Sequence, residues 1–271
     1  MSPIPTAFDL HVHTEYSPDA LTSLEDYAQV ADQLAIHVGF CDHFELAFLE
    51  RQDYLNQDKL VNLFEDYDKV HSNYPHTSLS LEIDYYSNLA SEVAEFCDSY
   101  RDTLDYLIGV VHTVDRLAVT DQKEMDMLVS RHNLAFILEE YFREVEAAIS
   151  SQLFDGIAHI DGVMRYLPLY SDSSEFELYW QQQTQLLGRL CQKYDVKVEV
   201  NLRGLHHPWN RTHPSEHFIE EFSKMGVKFY VGSDSHSLQA FRASAPLLRR
   251  MQAFLQDREC FQLPQFRRRS S

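Results

Sequence analysis

Short runs with strand character alternate with helical runs along the whole chain, and this alternation limits the fold more than any other feature of the sequence. The strand candidates are Thr6–Val12, Ile36–Cys41, Ser78–Asp84, Leu104–Val111, Phe154–Ile160, Val196–Asn201 and Lys228–Ser233. Each is short, apolar and rich in Val, Ile, Leu, Phe or Tyr, as parallel strands covered on both faces are. Helical patterns separate them, over about Leu24–Leu34, Asp58–Tyr74, Leu89–Arg101, Arg131–Ser151, Glu175–Tyr194, Pro214–Met225 and Gln239–Leu255. Thr22-x-x-Glu25 resembles a capping box, Pro214 suits a helix start and Gly226 a helix end. Seven strand-then-helix units in 271 residues predict an α/β fold with a parallel sheet, closed into a somewhat irregular β/α barrel. An open doubly wound sheet is the alternative, but the chain has no Gly-rich phosphate loop or dinucleotide fingerprint. No repeat, low-complexity segment or Gly/Ser linker divides the chain, so residues 1–271 read as one domain with flexible ends at about 1–5 and 264–271.

The strand ends share a chemistry. The first strand closes on Asp9-Leu10-His11-Val12-His13, and residues i and i+2 of a strand face the same way. The second runs into Cys41-Asp42-His43, the third carries Glu82, the fourth ends at His112, the fifth at His159 and Asp161, and the last at Asp234-Ser235-His236. The C-terminal rim is where β/α barrels place their active sites. Histidines that merely packed in a core would not sort to one rim, so these residues read as metal ligands. Glu199 and Asn201 on the sixth strand suit supporting groups behind such ligands, while a buried Glu hydrogen-bonded in the barrel core fits Glu199 equally. His71, His76 and His132 fall away from strand ends, and His37 sits at the wrong end of its strand. His206 and His207 can reach the barrel mouth, whereas His213 and His217 read as surface or capping residues.

Composition narrows the partners. A net charge of −19 argues against a nucleic-acid surface, which needs a basic stripe. The one basic run, Arg267-Arg268-Arg269, reads as a solvated tail. No apolar run approaches a membrane span, and the start of the chain lacks a secretory pattern, so a cytoplasmic location is expected. Cys41, Cys97, Cys191 and Cys260 form no CxxC and read as inert thiols. Imidazole with carboxylate and no thiolate suits divalent Zn, Mn or Fe. A bridging carboxylate such as Glu82 can hold neighbouring ions, between which a hydroxide becomes a nucleophile. Oligomeric state is not encoded in any feature of the chain.

The order His-x-His, Asp, Asp-His, Glu, His, His, Asp-x-His, spread from about Phe8 to Phe241, resembles the polymerase and histidinol phosphatase (PHP) superfamily. The resemblance implies a distorted seven-stranded (β/α)7 TIM-like barrel with three divalent metal ions. It implies that His11, His13, Glu82 and Asp234 hold the first, Glu82, His112 and His159 the second, and Asp19, His43 and His236 the third. Asp19 stands where many relatives have His. Glu82, Asp234 and His236 are the catalytic candidates.

Within the superfamily the chain looks most like stand-alone histidinol-phosphate phosphatases, through Ala158–Arg165 and Glu199–Leu205. That likeness implies a small-molecule phosphate ester as substrate, L-histidinol phosphate of histidine biosynthesis, attacked by a metal-bridging hydroxide. It also implies that Arg165 and Arg203 bind the phosphate, with Asn201 a further substrate-binding candidate, and an Arg fork matches phosphate oxygens well. Glu15 is the acidic residue next to the first ligands and the candidate acceptor for the substrate ammonium. The loop Thr113–Val119 lacks the Trp expected of close relatives, which bears on the leaving group alone.

Three other functions compete. A phosphodiesterase or nuclease is disfavoured by the charge, although a small nucleotide or another phosphate ester fits. An amidohydrolase would want a Lys on the fourth strand, which reads Leu107-Ile108-Gly109-Val110-Val111. A silent metal-binding domain would be expected to have lost ligands.

Overall fold

The computed structural model describes residues 4–48, 55–172 and 177–267. Its first half runs β1 (Ala7–Val12), α1 (Leu24–Gln33), β2 (Ile36–Phe44), α2 (Gln57–Asn73), β3 (Thr77–Asp84), α3 (Ala90–Tyr100) and β4 (Ile108–Val110). A hairpin, β5 (Thr113–Val114) and β6 (Leu117–Ala118), and the helices α4 (Gln122–Arg131) and α5 (Leu134–Ser150) follow. The rest is β7 (Gly156–Ile157), α6 (Glu177–Tyr194), β8 (Lys197–Asn201), α7 (Glu216–Lys224), β9 (Phe229–Gly232) and α8 (Leu238–Gln256). Among the described residues seven strands pair in parallel in the order β1-β2-β3-β4-β7-β8-β9. At the rim β1 meets the end of β9: Asp234 N–H donates to His11 O (2.8 Å) and His13 N–H to Ser235 O (3.0 Å). The sheet is thereby a nearly closed barrel, the expected α/β architecture. No helix among the described residues is long and apolar enough to cross a membrane.

Two apolar layers hold the barrel. A small inner cluster of Leu10, Cys41, Tyr106, Ile108, Val110, Ala158 and Tyr230 fills its lower part. A larger outer layer lies between strands and helices, with Val38, Phe40, Leu79, Leu81, Val198 and Val231 against residues such as Tyr27, Leu63 and Phe222. The β1–β2 register shifts between Asp9 and Val12, so Leu10 joins the inner cluster while His11 beside it reaches Glu199.

The structure moves several boundaries. Ser23, one residue after Thr22, caps α1 and accepts the Asp26 N–H at 3.1 Å. Ser215 precedes the first residue of α7, so Pro214 lies outside that helix. Gly226 ends α7 at φ +85°, with Val227 N–H bonded to Phe222 O and Gly226 N–H to Ser223 O, a left-handed cap that suits glycine. Asn133 caps α5, which begins at Leu134 instead of Arg131. Residues 175 and 176, expected to open α6, lie outside the described residues.

β4 and β7 are shorter than expected because side chains replace the ladder before them. Asp105 Oδ2 accepts Leu79 N–H and Asp155 Oδ2 accepts Leu107 N–H, each at 2.7 Å. The hairpin and α4 were not expected.

The C-terminal segment crosses the lower end of the barrel. Phe261 bridges Phe229, Phe266 stacks on His37 at 5.4 Å, and Arg267 donates to both oxygens of Asp155 at 2.7 and 2.6 Å. Arg267 is therefore no part of a solvated tail; Arg268 and Arg269 lie outside the described residues. Cys41, Cys97, Cys191 and Cys260 are free and buried.

Candidate metal centre

All nine ligand candidates converge on the C-terminal rim. Glu82, 1% exposed at the end of β3, is their hub. Its Oε1 lies 2.9 Å from His159 Nε2, 3.5 Å from His11 Nε2 and 3.6 Å from His112 Nε2. Its Oε2 lies 2.8 Å from His43 Nδ1 and 3.7 Å from His13 Nε2. Asp234 Oδ1 lies 3.3 Å from His13 Nε2 and 3.4 Å from His236 Nδ1. Asp19, in the turn after β1, reaches His236 Nε2 at 3.0 Å and His43 Nε2 at 3.7 Å. Asp19 is thus brought beside His43 and His236, the two residues expected to share an ion with it.

Three observations fit this cluster to divalent cations. His11 Nε2 and His13 Nε2 face each other at 3.0 Å. Glu82 Oε2, His43 Nδ1, His112 Nδ1 and His159 Nδ1 are buried without a hydrogen-bond partner. Ligating atoms of His11, His13 and Asp234, of Glu82, His112 and His159, and of His13, His43 and His236 gather closely enough to share an ion. Burial favours neutral imidazole throughout. For His11 the carboxylates Glu199 and Glu82 outweigh burial and push it well above the usual range, whereas for His13 the neighbouring His236 and His43 add to burial and push it well below. Burial would raise Glu82, but His11, His112 and His43 hold its carboxyl well below the usual range. The site is a bowl of nitrogen and oxygen ligand atoms centred on the Glu82 carboxylate, and it suits divalent metal binding.

Supporting groups fix these side chains. Glu199 Oε1 lies 2.7 Å from His11 Nδ1, and its Oε2 accepts His159 N–H (3.1 Å) and Asn201 Nδ2 (3.0 Å). Glu199 is thus both buried in the barrel core and an orienting group. Asn201 also donates to Asp234 Oδ2 at 3.2 Å. Asp42 accepts from Thr14 and from Ser17, and Ser17 Oγ is 3.1 Å from His13 Nδ1. Asp42 therefore shapes the turn beneath His13. His159 (φ +23°) and Asp234 (φ +54°) hold the left-handed backbone, strain that such sites tolerate.

A cavity of about 590 Å³ opens over the cluster. Arg165 and Arg203 line it. Arg165 is 7% exposed, with Nη2 3.7 Å from Asp234 Oδ2 and Nε unpartnered. Burial lowers its guanidinium affinity for the proton and Asp234 opposes that. Arg203 Nη1 donates to Asp234 O at 2.9 Å and contacts His236 Nδ1.

Not every candidate reaches the cavity. Glu15 is exposed and does not line it, because the chain turns directly after His13, and its acidic neighbours are Asp66, Asp42 and Asp26. His207 lines the cavity and His206 does not. His213 is fully buried, its Nδ1 2.8 Å from Asp161 Oδ1, and is no surface residue. Glu45 and the hairpin residue Arg116 line the cavity and were missed. Glu45 stands two residues after His43, a spacing that could have shown it.

A family model, the PHP domain, matches residues 9–203. A probable histidinol-phosphatase of Clostridium acetobutylicum is 23% identical over 234 residues, covering 84% of this chain and 86% of that protein. One of Deinococcus radiodurans is 22% identical over 233 residues, covering 84% and 85%. Histidinol phosphate phosphatase of Lactococcus lactis, solved with zinc, L-histidinol and phosphate, superposes with a TM-score of 0.70 at 17% identity, covering 90% of this chain and 93% of that one. With the family model spanning most of the barrel, the chain belongs to the PHP-domain family.

Proposed function

We propose that this chain, acting as one domain, is a metal-dependent phosphomonoesterase that hydrolyses L-histidinol phosphate to L-histidinol and phosphate. The observation that carries the phosphatase reading is Arg165, a buried guanidinium with an unpartnered Nε that lines the same cavity as seven of the nine ligand candidates. A buried cation beside a cluster of donors for divalent ions is a seat for a phosphoryl group. The names of the relatives point to L-histidinol phosphate.

In this reading His11, His13, Glu82 and Asp234 hold one ion, Glu82, His112 and His159 a second, and Asp19, His43 and His236 a third, with zinc, manganese or iron as the fitting metals. Bound ions would supply Lewis-acid charge and an activated water. Arg165 and Arg203 orient the phosphoryl group and oppose the charge that builds on its oxygens as the ester P–O bond breaks and the new P–O bond to water forms. Glu82 and Asp234, both buried, keep the ligand imidazoles in register. Asn201 steadies Asp234.

The test is elemental analysis of the purified protein together with steady-state kinetics on a panel of amino-alcohol, sugar and nucleotide phosphates. L-Histidinol phosphate should show the highest kcat/KM. A flat profile, or preference for a nucleotide, would overturn the substrate and leave a phosphoesterase on another small ester.

A further inference from the structure

Besides the ligand candidates, three carboxylates line the cavity: Glu45, Asp121 and Glu124. Two of them are engaged. Asp121 Oδ1 accepts Glu124 N–H at 3.0 Å as the cap of α4, and Glu124 Oε2 accepts Ala118 N–H at 2.6 Å, tying the hairpin to that helix. Glu45 is 8% exposed and accepts no hydrogen bond from a described residue. The groups that act on it most strongly are the carboxylates Asp84 and Glu82 and the imidazoles His112 and His43, and Arg116 lines the same cavity. A buried carboxylate beside two others is expensive unless a cation joins it.

That cation could be a resident metal ion or part of the substrate. A ligating atom of Glu45 lies within 4.8 Å of those of His43 and His112, so the three could share an ion. Yet both imidazoles already face other carboxylates through both nitrogens. His43 turns Nδ1 to Glu82 and Nε2 to Asp19, and His112 turns Nε2 to Glu82 and Nδ1 to Asp84. At His43 Nδ1 and His112 Nδ1 these are charge contacts without a hydrogen bond, and an ion on Glu45 would compete for a nitrogen with Glu82, Asp19 or Asp84. The open side of Glu45 is the cavity itself, whose opposite charge is carried by Arg116, Arg165 and Arg203.

We propose that Glu45 receives a cationic nitrogen of the leaving alcohol, so that this site selects phosphomonoesters whose alcohol carries an ammonium or imidazolium group. This rests on the phosphatase reading above and gives it a substrate class. Arg165 and Arg203 then take the phosphate and Glu45 the cationic nitrogen of a zwitterionic ester in the one cavity they all line. An ester without the cation leaves Glu45 buried and unpaired, which is how a polar site rejects an analogue that lacks the matching group.

The experiment uses the metal-loaded enzyme and its Glu45→Gln and Glu45→Asp variants. Esters with a cationic alcohol, L-histidinol phosphate and O-phosphoethanolamine, are compared with glycerol 3-phosphate and p-nitrophenyl phosphate. Elemental analysis accompanies each assay. In Glu45→Gln the ratio of kcat/KM between cationic and uncharged esters should fall roughly 10-fold or more, mostly through KM of the cationic ones, with metal content retained and partial recovery in Glu45→Asp. Inhibition by free L-histidinol should weaken more than inhibition by inorganic phosphate. An unchanged ratio, or loss of an ion on substitution, would overturn the proposal, the latter making Glu45 a ligand. The two readings fail separately. Wild-type preference for O-phosphoethanolamine with an intact Glu45 effect removes L-histidinol phosphate and keeps the role of Glu45. Preference for L-histidinol phosphate that survives Glu45→Gln does the reverse.

Discussion

Glu199 Oε1 lies 2.7 Å from His11 Nδ1, and this contact joins β8 to β1 beneath the rim. With Nδ1–H donating to the carboxylate, the His11 lone pair sits on Nε2, the nitrogen that faces Glu82 at 3.5 Å. Glu199→Gln should therefore weaken the metal centre without removing any ligand. Metal affinity, read by competition with a chelator, should fall roughly 10–100-fold. Unchanged affinity would show that the ring holds its orientation by other means.

Glu82→Ala should be the most damaging ligand substitution. One carboxylate touches five imidazoles, so its loss leaves their charges and lone pairs crowded without a centre. We expect loss of metal by elemental analysis and turnover at background. A variant that kept its ions and wild-type turnover would remove the bridging role.

The two arginines should separate. Arg165→Ala should keep metal content and lower kcat/KM by an amount equal to about 2–4 kcal/mol, the range for one preorganised charge stabiliser. Arg203 donates to the Asp234 carbonyl and contacts His236, so Arg203→Ala should also loosen metal binding. Metal loss in the Arg165 variant, or none in the Arg203 variant, would reverse these roles.

His37 at the foot of the barrel gives a pH dependence distant from the site. Burial lowers its pKa from 6.5 to about 4, with His76 and His71 adding to the effect. Its Nε2 lies 2.9 Å from Ser78 Oγ, and its ring stacks on Phe266. Because the folded pKa is depressed, the unfolded chain takes up this proton first as pH falls. The contribution is full above pH 6.5 and is lost between 6.5 and about 4, a change on the order of 3 kcal/mol. Urea unfolding at several pH values should show a shallower acid slope in His37→Gln than in the wild type. Parallel slopes would rule His37 out.

The ligand set was legible because strand ends are punctuated in the sequence: His11 and His13, and likewise Asp234 and His236, stand two apart after apolar runs. Glu45 escaped because β2 was expected to stop at Cys41, whereas it continues to Phe44 and carries its face onto the rim. Glu15 was chosen for nearness in sequence, but the turn after His13 takes it outward. The hairpin at Thr113–Ala118 gives no periodic signal, since each of its strands has two residues. Asp105 and Asp155 show why β4 and β7 were overestimated: an apolar run marks burial, and only the fold decides whether a backbone N–H meets a strand or a side chain.

The seam between β1 and β9 has a consequence for the order in which the molecule is made. His11 and His13 come from the first strand, while Asp234 and His236 follow the last, and the seam hydrogen bonds pass through His11, His13 and Asp234 themselves. A growing chain that has not reached β9, however well its earlier strands have folded, lacks the groups that close this bowl. A fragment ending at residue 228, just before β9, should hold no ion through gel filtration, although seven of the nine ligand candidates precede that point. In the three-ion reading, metal uptake waits until β9 and His236 have joined β1, and a bound ion would mark a barrel whose seam is closed.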